Sequence, residues 1–295
     1  MAKVTVVIAT RNRRAGLART LLRLHAQAEP PPVVVVDNGS SDGTPGMVAT
    51  TFPRVRVMAL GRNAGAVARN FGAAVAETPY VAFADDDSWW APGALTRAAA
   101  HLDAAPRLAL LAARTLVGPE ERLDPMSRFM AAAPLGVAAD LPGPSVLGFL
   151  ACGAVVRRGA FLACGGFDPV VFFMGEEARV ALDLRTGGSG LAYCDDVVAH
   201  HHPRADPATQ DAKRLLARRN RVLTAWMRRP LRTALDETAM LLSAARFDPA
   251  ARPAAAQLLR RVPRALARRR PVPVEVEFEL AVLAAGERTA GYATT

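Results

Sequence analysis

A chain of 295 residues can bury a full hydrophobic core, and its 51% hydrophobic and 22% charged residues have the balance of a globular protein, not a disordered one. No apolar run reaches the ~18 residues that a bilayer span needs, the N-terminus runs into a strand without a cleavage pattern, and three scattered cysteines make neither a disulfide framework nor a zinc site, so a cytoplasmic setting is expected. The net charge of +10 gathers after residue 210, from Lys213 and Arg214 to Arg268, Arg269 and Arg270; such a tail suits an anionic membrane surface or plain solvation, and no nucleic-acid recognition motif accompanies it.

The apolar, β-branched run Val4 to Ala9 reads as a buried parallel strand, ended by Thr10, Arg11 and Asn12. Leu17, Leu21, Leu22 and Leu24 then recur at helical spacing. Val33 to Val36 is a second buried strand, closed by Asp37 and the turn chemistry of Asn38 to Gly43. A third strand over 55–60, a helix over 64–77 and a fourth strand over 80–84 complete a βαβαβαβ alternation, which predicts a parallel sheet flanked by helices. Residues 105–175 read as a mobile, Ala/Gly/Pro-rich loop with a strand near 148–156. A helix over 176–186 and a strand over 192–199 follow, and from 208 the pattern is basic, helical and broken by prolines.

In a sheet of this kind ligands bind beyond the carboxyl ends of the strands. Thr10 to Asn12, Asp37 with Asn38, Arg62 with Asn63, and Asp85 to Asp87 all fall there, so they are expected to converge on one crevice. Three adjacent carboxylates repel one another, and a hard divalent cation or a capping turn would each account for them. Alternation along an extended segment lets Asp85 and Asp87 share a site while Asp86 points elsewhere. Asn63 and Arg69 flank a helix start suited to a diphosphate or to simple capping. Glu176 and Glu177 precede a helix, where either could serve as a general base or merely favour the helix dipole. His200, in a run of three histidines, is a candidate ligand for a first-row metal or a surface residue.

Taken together, Val-Ile-Ala-Thr-Arg-Asn (7–12), Val-Asp-Asn-Gly-Ser-Ser-Asp-Gly-Thr (36–44), Arg-Asn-Ala-Gly (62–65) with Ala-Arg-Asn (68–70), Phe-Ala-Asp-Asp-Asp (83–87), Gly-Gly-Phe-Asp (165–168), Gly-Glu-Glu (175–177) and His200 with Arg219-Asn220 resemble the inverting family-2 glycosyltransferases of the GT-A fold. The resemblance runs to about residue 226. It implies a Rossmann-like α/β catalytic domain over 1–207 and a mainly helical, basic extension over 208–295. It implies a metal (Mg²⁺ or Mn²⁺) held by Asp87, Asp85 and His200, and a nucleoside diphosphate sugar lined by Thr10, Arg11, Asn12, Asp37, Asn63, Arg69, Asp85 and Asp86. Glu177 aligns with the base, Glu176 being the fallback, and Gly165 to Asp168 with Trp89 and Trp90 would line the acceptor side.

The implied activity is transfer, with inversion, of a hexosyl or deoxyhexosyl group to an acceptor hydroxyl on a glycan, a lipid-linked carrier or a small molecule. The rival is an inactive nucleotide-sugar-binding scaffold of the same fold. Where the family carries an acid and then an Arg four residues on, this chain has Arg179 and then Asp183, an exchange expected to be a surface ion pair. The tail after 208 is expected to turn its arginines outward, able to touch the inner face of a membrane and apart from donor chemistry.

Overall fold

The computed structural model describes residues 2–203 and 207–289. Strand β1 (Val4–Thr10) is buried on both faces, as its unbroken Val/Ile run requires. It is followed by α1 (Arg14–His25), β2 (Val33–Asp37), α2 (Thr44–Thr51), β3 (Arg56–Ala59), α3 (Ala68–Val75) and β4 (Tyr80–Ala84). These strands lie in the order β3-β2-β1-β4, all parallel. The expected alternation is therefore what the chain forms, and the carboxyl ends of the strands share one edge.

Beyond β4 the sheet becomes mixed. After β5 (Ser88–Trp90) and α4 (Ala94–Ala104), β6 (Leu108–Val117) enters the centre of the sheet, followed by β7 (Arg122–Leu123), α5 (Pro125–Ala131), β8 (Ala154–Arg157), α6 (Arg158–Ala163), α7 (Glu177–Thr186) and β9 (Gly190–His201). The full order is β3-β2-β1-β4-β8-β6-β9-β5. The ten-residue β6 lies inside the stretch read as a mobile loop. Leu-Ala-Leu-Leu-Ala-Ala is buried on both faces, so it lacks the alternation that marks a half-exposed strand, and alanine carries little strand signal.

Two apolar layers sandwich the sheet. Val6, Ile8, Leu17, Leu21 and Leu102 fill one, and Val7, Phe83, Phe161, Phe167 and Val180 the other. Trp90 is fully buried in the first of these, and Trp89 stacks on His200 with Arg23 over its ring at 3.5 Å.

Among the described residues four α-helices follow: α8 (Pro207–Arg228), α9 (Leu231–Phe247), α10 (Arg252–Leu266) and α11 (Val274–Thr289). Val222, Leu223 and Met227 of α8 pack with Val170 and Val171, Leu241 and Leu258. Many of the arginines expected to face outward are spent inside. Arg219 is 2% exposed and donates to the Val171 carbonyl and to Asn220 Oδ1, and Arg261 donates to the Val170 carbonyl. Arg269 donates to the carbonyls of Trp226 and Arg229, and Arg268 pairs with Asp168 at 3.2 Å. A guanidinium offers five donors, which suits it to the carbonyls left unpaired at loops and helix ends. Of the trio 268–270, two are therefore structural.

The Arg179/Asp183 pair is also not a surface pair. Arg179 is 5% exposed, donates to Asp183 at 2.6 Å and to the Gly166 carbonyl, and lies 3.9 Å from Asp168. Asp183 also accepts from Arg228 of α8. The turn at Gly165 to Asp168, expected on the acceptor side, is thus tied into a buried charge network joining α7 and α8. Removing one partner from such a network strands the others. Arg179→Ala should cost about 3 kcal/mol, the low end of the range for breaking a buried pair because Arg228 still answers Asp183. Urea unfolding checks this, and a loss below about 1 kcal/mol, the value of an exposed pair, would show the network to be marginal.

Candidate active site

The carboxylate cluster stands where β4 ends. The three acids diverge. Asp85 Oδ1 accepts from Arg69 at 2.5 Å. Asp86 turns back to accept from Thr10 Oγ1 at 2.9 Å, with Arg13 at 3.5 Å. Asp87 Oδ1 lies 3.5 Å from His201 Nε2. Burial pushes the Asp86 carboxyl up to about 7, and the neighbouring Asp87 and Asp85 add to the shift, with Thr10 and Arg13 opposing it. This is a cluster whose mutual repulsion the protein relieves only in part.

His201, not His200, faces the cluster. His200 stacks on Trp89 and sits 3.2 Å from Glu121, on the other side of the strand. Asp85, Cys152 and His201 each place a ligand-type atom within 4.8 Å of the others. Burial disfavours the charged His201 ring, but its bonds to Asp87 and Cys152 outweigh that and hold it well above the ordinary imidazole range. Neither Cys152 nor His201 stood out in the sequence. The signal was present only as a choice among three histidines.

Arg69 links the two acidic motifs. It is 5% exposed, and its guanidinium reaches Asp85 and, at 3.3 Å, Glu176 Oε1. Glu176 is 3% exposed and engaged by that arginine. Glu177 opens α7 beside the turn at Ala151 to Gly153. Burial raises both glutamate carboxyls, and Glu176 raises Glu177 further. Of the pair, Glu176 is tied to positioning Arg69, which leaves Glu177 the freer carboxylate.

The segment before these glutamates is shaped to order. Phe172 and Met174 both have positive φ, at 74° and 70°, a conformation costly for bulky residues and kept only where the surroundings impose it. Here Asn220 of α8, fully buried, donates to the carbonyls of Phe173 and Met174 at 2.6 Å each. On the opposite wall, the Ala66 amide donates to the Phe172 carbonyl at 2.7 Å. Gly65 (φ 62°) must be glycine, since a Cβ there would stand 2.3 Å from that carbonyl oxygen.

A cleft of about 430 Å³ results, walled by Thr10, Arg11, Asn63, Arg69 and Asp85 to Asp87 on the sheet side. Phe172 to Met174, His201 and Lys213 face them. The expected convergence of strand ends therefore occurs. Lys213 lies past residue 208, so α8 contributes to this cleft instead of standing apart from it. Asp37 and Asn12 take other places, and Asn63 is partly engaged. Asp37 is 1% exposed and accepts from the Ser40 amide with Oδ2, while its Oδ1 has no hydrogen-bond partner. Asn12 accepts from the Ser41 amide and clamps the first two strand ends together. Asn63 lines the cleft but its Oδ1 is held by the Gly65 amide.

An anion-lined, cation-ready cleft at the switch edge of an α/β sheet, with a separate carboxylate at a helix start, is equipped to hold a phosphorylated donor and deprotonate a hydroxyl. Residues 5–164 match the model of the glycosyl transferase family 2. The chain belongs to that family.

As a family-2 glycosyltransferase it has the GT-A fold. It is 28% identical over 287 residues to the N-acetylglucosaminyl-diphospho-decaprenol L-rhamnosyltransferase of Mycobacterium tuberculosis, covering 81% of this chain and 91% of that one. It is 33% identical over 211 residues to the pre-mycofactocin glycosyltransferase of the same organism, covering 68% of this chain and 43% of the relative. Among solved structures, the mannosyltransferase PcManGT of Pyrobaculum calidifontis, in complex with GDP-Man and Mn²⁺, superposes with a TM-score of 0.59 at 22% identity over 99% of this chain and 75% of that one. S. aureus TarS 1–349, in complex with UDP-GlcNAc, gives 0.55 at 20% identity over 75% and 66%.

Proposed function

We propose that this glycosyltransferase is metal-dependent and inverting, moving a hexosyl or deoxyhexosyl group from a nucleoside diphosphate sugar to a hydroxyl of a lipid-linked acceptor. The observation that carries this reading is Arg69, which lines the cleft beside the carboxylate cluster and ties Asp85 to Glu176, the neighbour of Glu177 at the start of α7. Two relatives support it further: one bears a decaprenol carrier in its name, and one fold neighbour holds Mn²⁺ with a nucleotide sugar.

The donor set fits a hard divalent ion. Asp87, Asp85 and His201 would hold it, with His201 in the role first expected of His200. When bound, the metal supplies Lewis-acid stabilisation of charge on the departing diphosphate. Arg69 and Lys213 add cationic character from the two sides of the cleft, and Asn38, next to the buried Asp37, lines it where a base or ribose could be received. Glu177 takes the proton of the attacking hydroxyl. A single base without a nucleophilic partner gives direct displacement and hence inversion. Glu176 orients Arg69 and through it Asp85.

The test is a panel of nucleoside diphosphate sugars scored for Mn²⁺- or Mg²⁺-dependent hydrolysis and thermal shift. An inactive scaffold would bind a donor but never hydrolyse it. The histidine assignment has its own check. His201→Ala should weaken Mn²⁺ binding by about 10–100-fold or more, the usual cost of disturbing a metal's ligand environment. His200→Ala should leave it within a few-fold, because that ring is occupied by Trp89 and Glu121. The reverse pattern in a calorimetric titration would return the role to His200.

We also propose that residues 1–207 carry the candidate metal ligands and base, and that 208–295, besides completing the cleft through Lys213 of α8, extend the chain towards a membrane surface. Among the described residues no helix is long and apolar enough to cross a bilayer. Yet Leu231, Leu235 and Leu242 are exposed on one face of α9, with Arg232 nearby. An apolar face beside arginines suits the interface of an anionic membrane, each nearby cation adding about 1 kcal/mol. Wild-type protein should therefore co-sediment with anionic vesicles at low salt and be released as salt rises. No binding at low salt would leave these helices a packing role only.

A further inference from the structure

A second cavity, of about 560 Å³, lies between α5, the 145–148 loop and α7 on one side and α8, α9 and α11 on the other. Its volume falls in the ~300–1,000 Å³ range of small-molecule sites. The lining is apolar over most of its extent: Met130, Leu147, Leu182, Leu280, Leu283 and Ala284 among others. Its charged rim is internally compensated, Arg221 pairing with Glu237 at 3.0 Å and Arg229 with Glu277 at 2.6 Å. One polar point looks unfinished. Thr224, 5% exposed and part of the lining, has an Oγ1 without a hydrogen-bond partner.

This cavity and the donor cleft have no lining residue in common, but neighbouring stretches of the same two segments line both. Along the strained segment, Met174 borders the donor cleft and Gly175 and Ala178 border the apolar cavity, with Glu177 next to Ala178 in the chain. Along α8, Lys213 borders the cleft, and Ala217, Arg221, Thr224 and Ala225 follow at one-turn steps along the cavity. At its far end Pro134 is shared with a shallow apolar groove lined by Leu135 and by Val274 and Phe278 of α11, the last two 73% and 71% exposed. Apolar lining thus extends from the exposed Val274 and Phe278 to Ala178, the chain neighbour of the candidate base.

We infer that this cavity binds the hydrocarbon chain of an amphiphilic acceptor, seating the chain between α11 and α8 so that the hydroxyl-bearing head reaches Glu177. The inference rests on the reading of a lipid-linked acceptor and locates the part of the protein that recognises the lipid. Thr224 gives the cavity one hydrogen-bonding point for a head-ward oxygen. The arginines of the rim are already neutralised, so they leave the chain as the recognised feature.

The probe is a C15 prenyl diphosphate, titrated into the full chain by calorimetry, with inorganic pyrophosphate as competitor. Binding should saturate and resist pyrophosphate, since the chain and not the head is held. Ala281→Trp and Ala284→Trp, on one face of α11 and outside the cleft, would fill the cavity; each should weaken binding by about tenfold or more, as expected when most of a buried chain is displaced, while donor hydrolysis stays at the wild-type rate. Wild-type affinity in both variants, or full displacement by pyrophosphate, overturns the assignment. A change of oligomeric state in the variants, read by sedimentation, would put a second copy of this chain in the cavity and also overturn it. Donor hydrolysis with no prenyl binding defeats this inference alone. Prenyl binding without hydrolysis of any donor supports the cavity and defeats the catalytic reading.

Discussion

Glu177→Gln should lose sugar transfer by about 10²–10⁴-fold, the usual worth of a general base, while donor affinity stays within a few-fold. The amide preserves the shape and the helix start but cannot accept the proton of the attacking hydroxyl. The wild-type pH profile should carry the same signature. Burial and the neighbouring Glu176 hold the Glu177 carboxyl above its ordinary range, and a base acts only when deprotonated. The transfer rate should accordingly climb as pH rises through that elevated range and fall away below it. The residual activity of the Gln variant should lack this limb. Glu176→Gln should behave differently, because Glu176 is bonded to Arg69, which also holds Asp85. Its removal loosens the donor side, so donor affinity falls along with turnover. If single-turnover kinetics show Glu176→Gln losing chemistry with donor affinity intact, and Glu177→Gln mild, the roles are exchanged.

Asp87→Ala should abolish metal-dependent donor binding, exceeding the roughly 10–100-fold that loss of an outer-shell partner costs a metal site. The same substitution should not harm the fold. Asp87 stands at a strand end, in a cluster where it raises the carboxyl of Asp86 by repulsion, so removing it relieves like-charge crowding. The variant should melt at or above the wild-type temperature without metal and lose the upward shift that Mn²⁺ with donor gives the wild type. Calorimetry that finds unchanged metal-dependent binding would remove the metal assignment. A large drop in the melting temperature without metal would instead make Asp87 a structural residue, through its side-chain contacts with His201 and Arg13.

What the amino-acid sequence determined by itself is the sheet edge and its chemistry. Fully buried Val/Ile runs of strand length can do little else than enter a covered parallel sheet, and each such run ends in polar residues. The meeting of Thr10, Asn63, Arg69 and Asp85 to Asp87 was therefore legible from local pattern and topology. The choice between His200 and His201 was not. Strand β9 slips against β6, where Ala113 pairs with Cys194 but Arg114 with Val198, so three residues of β9 have no opposite number. An odd insertion exchanges the two faces of a strand whose side chains alternate. The resemblance pointed to His200, but the slip decides which of the adjacent histidines turns towards the carboxylates, and that is His201. Charge was equally blind to place: Arg179, Arg219 and Arg228 look like surface residues in composition but satisfy buried carboxylates and carbonyls. A guanidinium is indifferent to whether water or protein accepts its protons, and only the packing of α7 and α8 against the sheet decided which did.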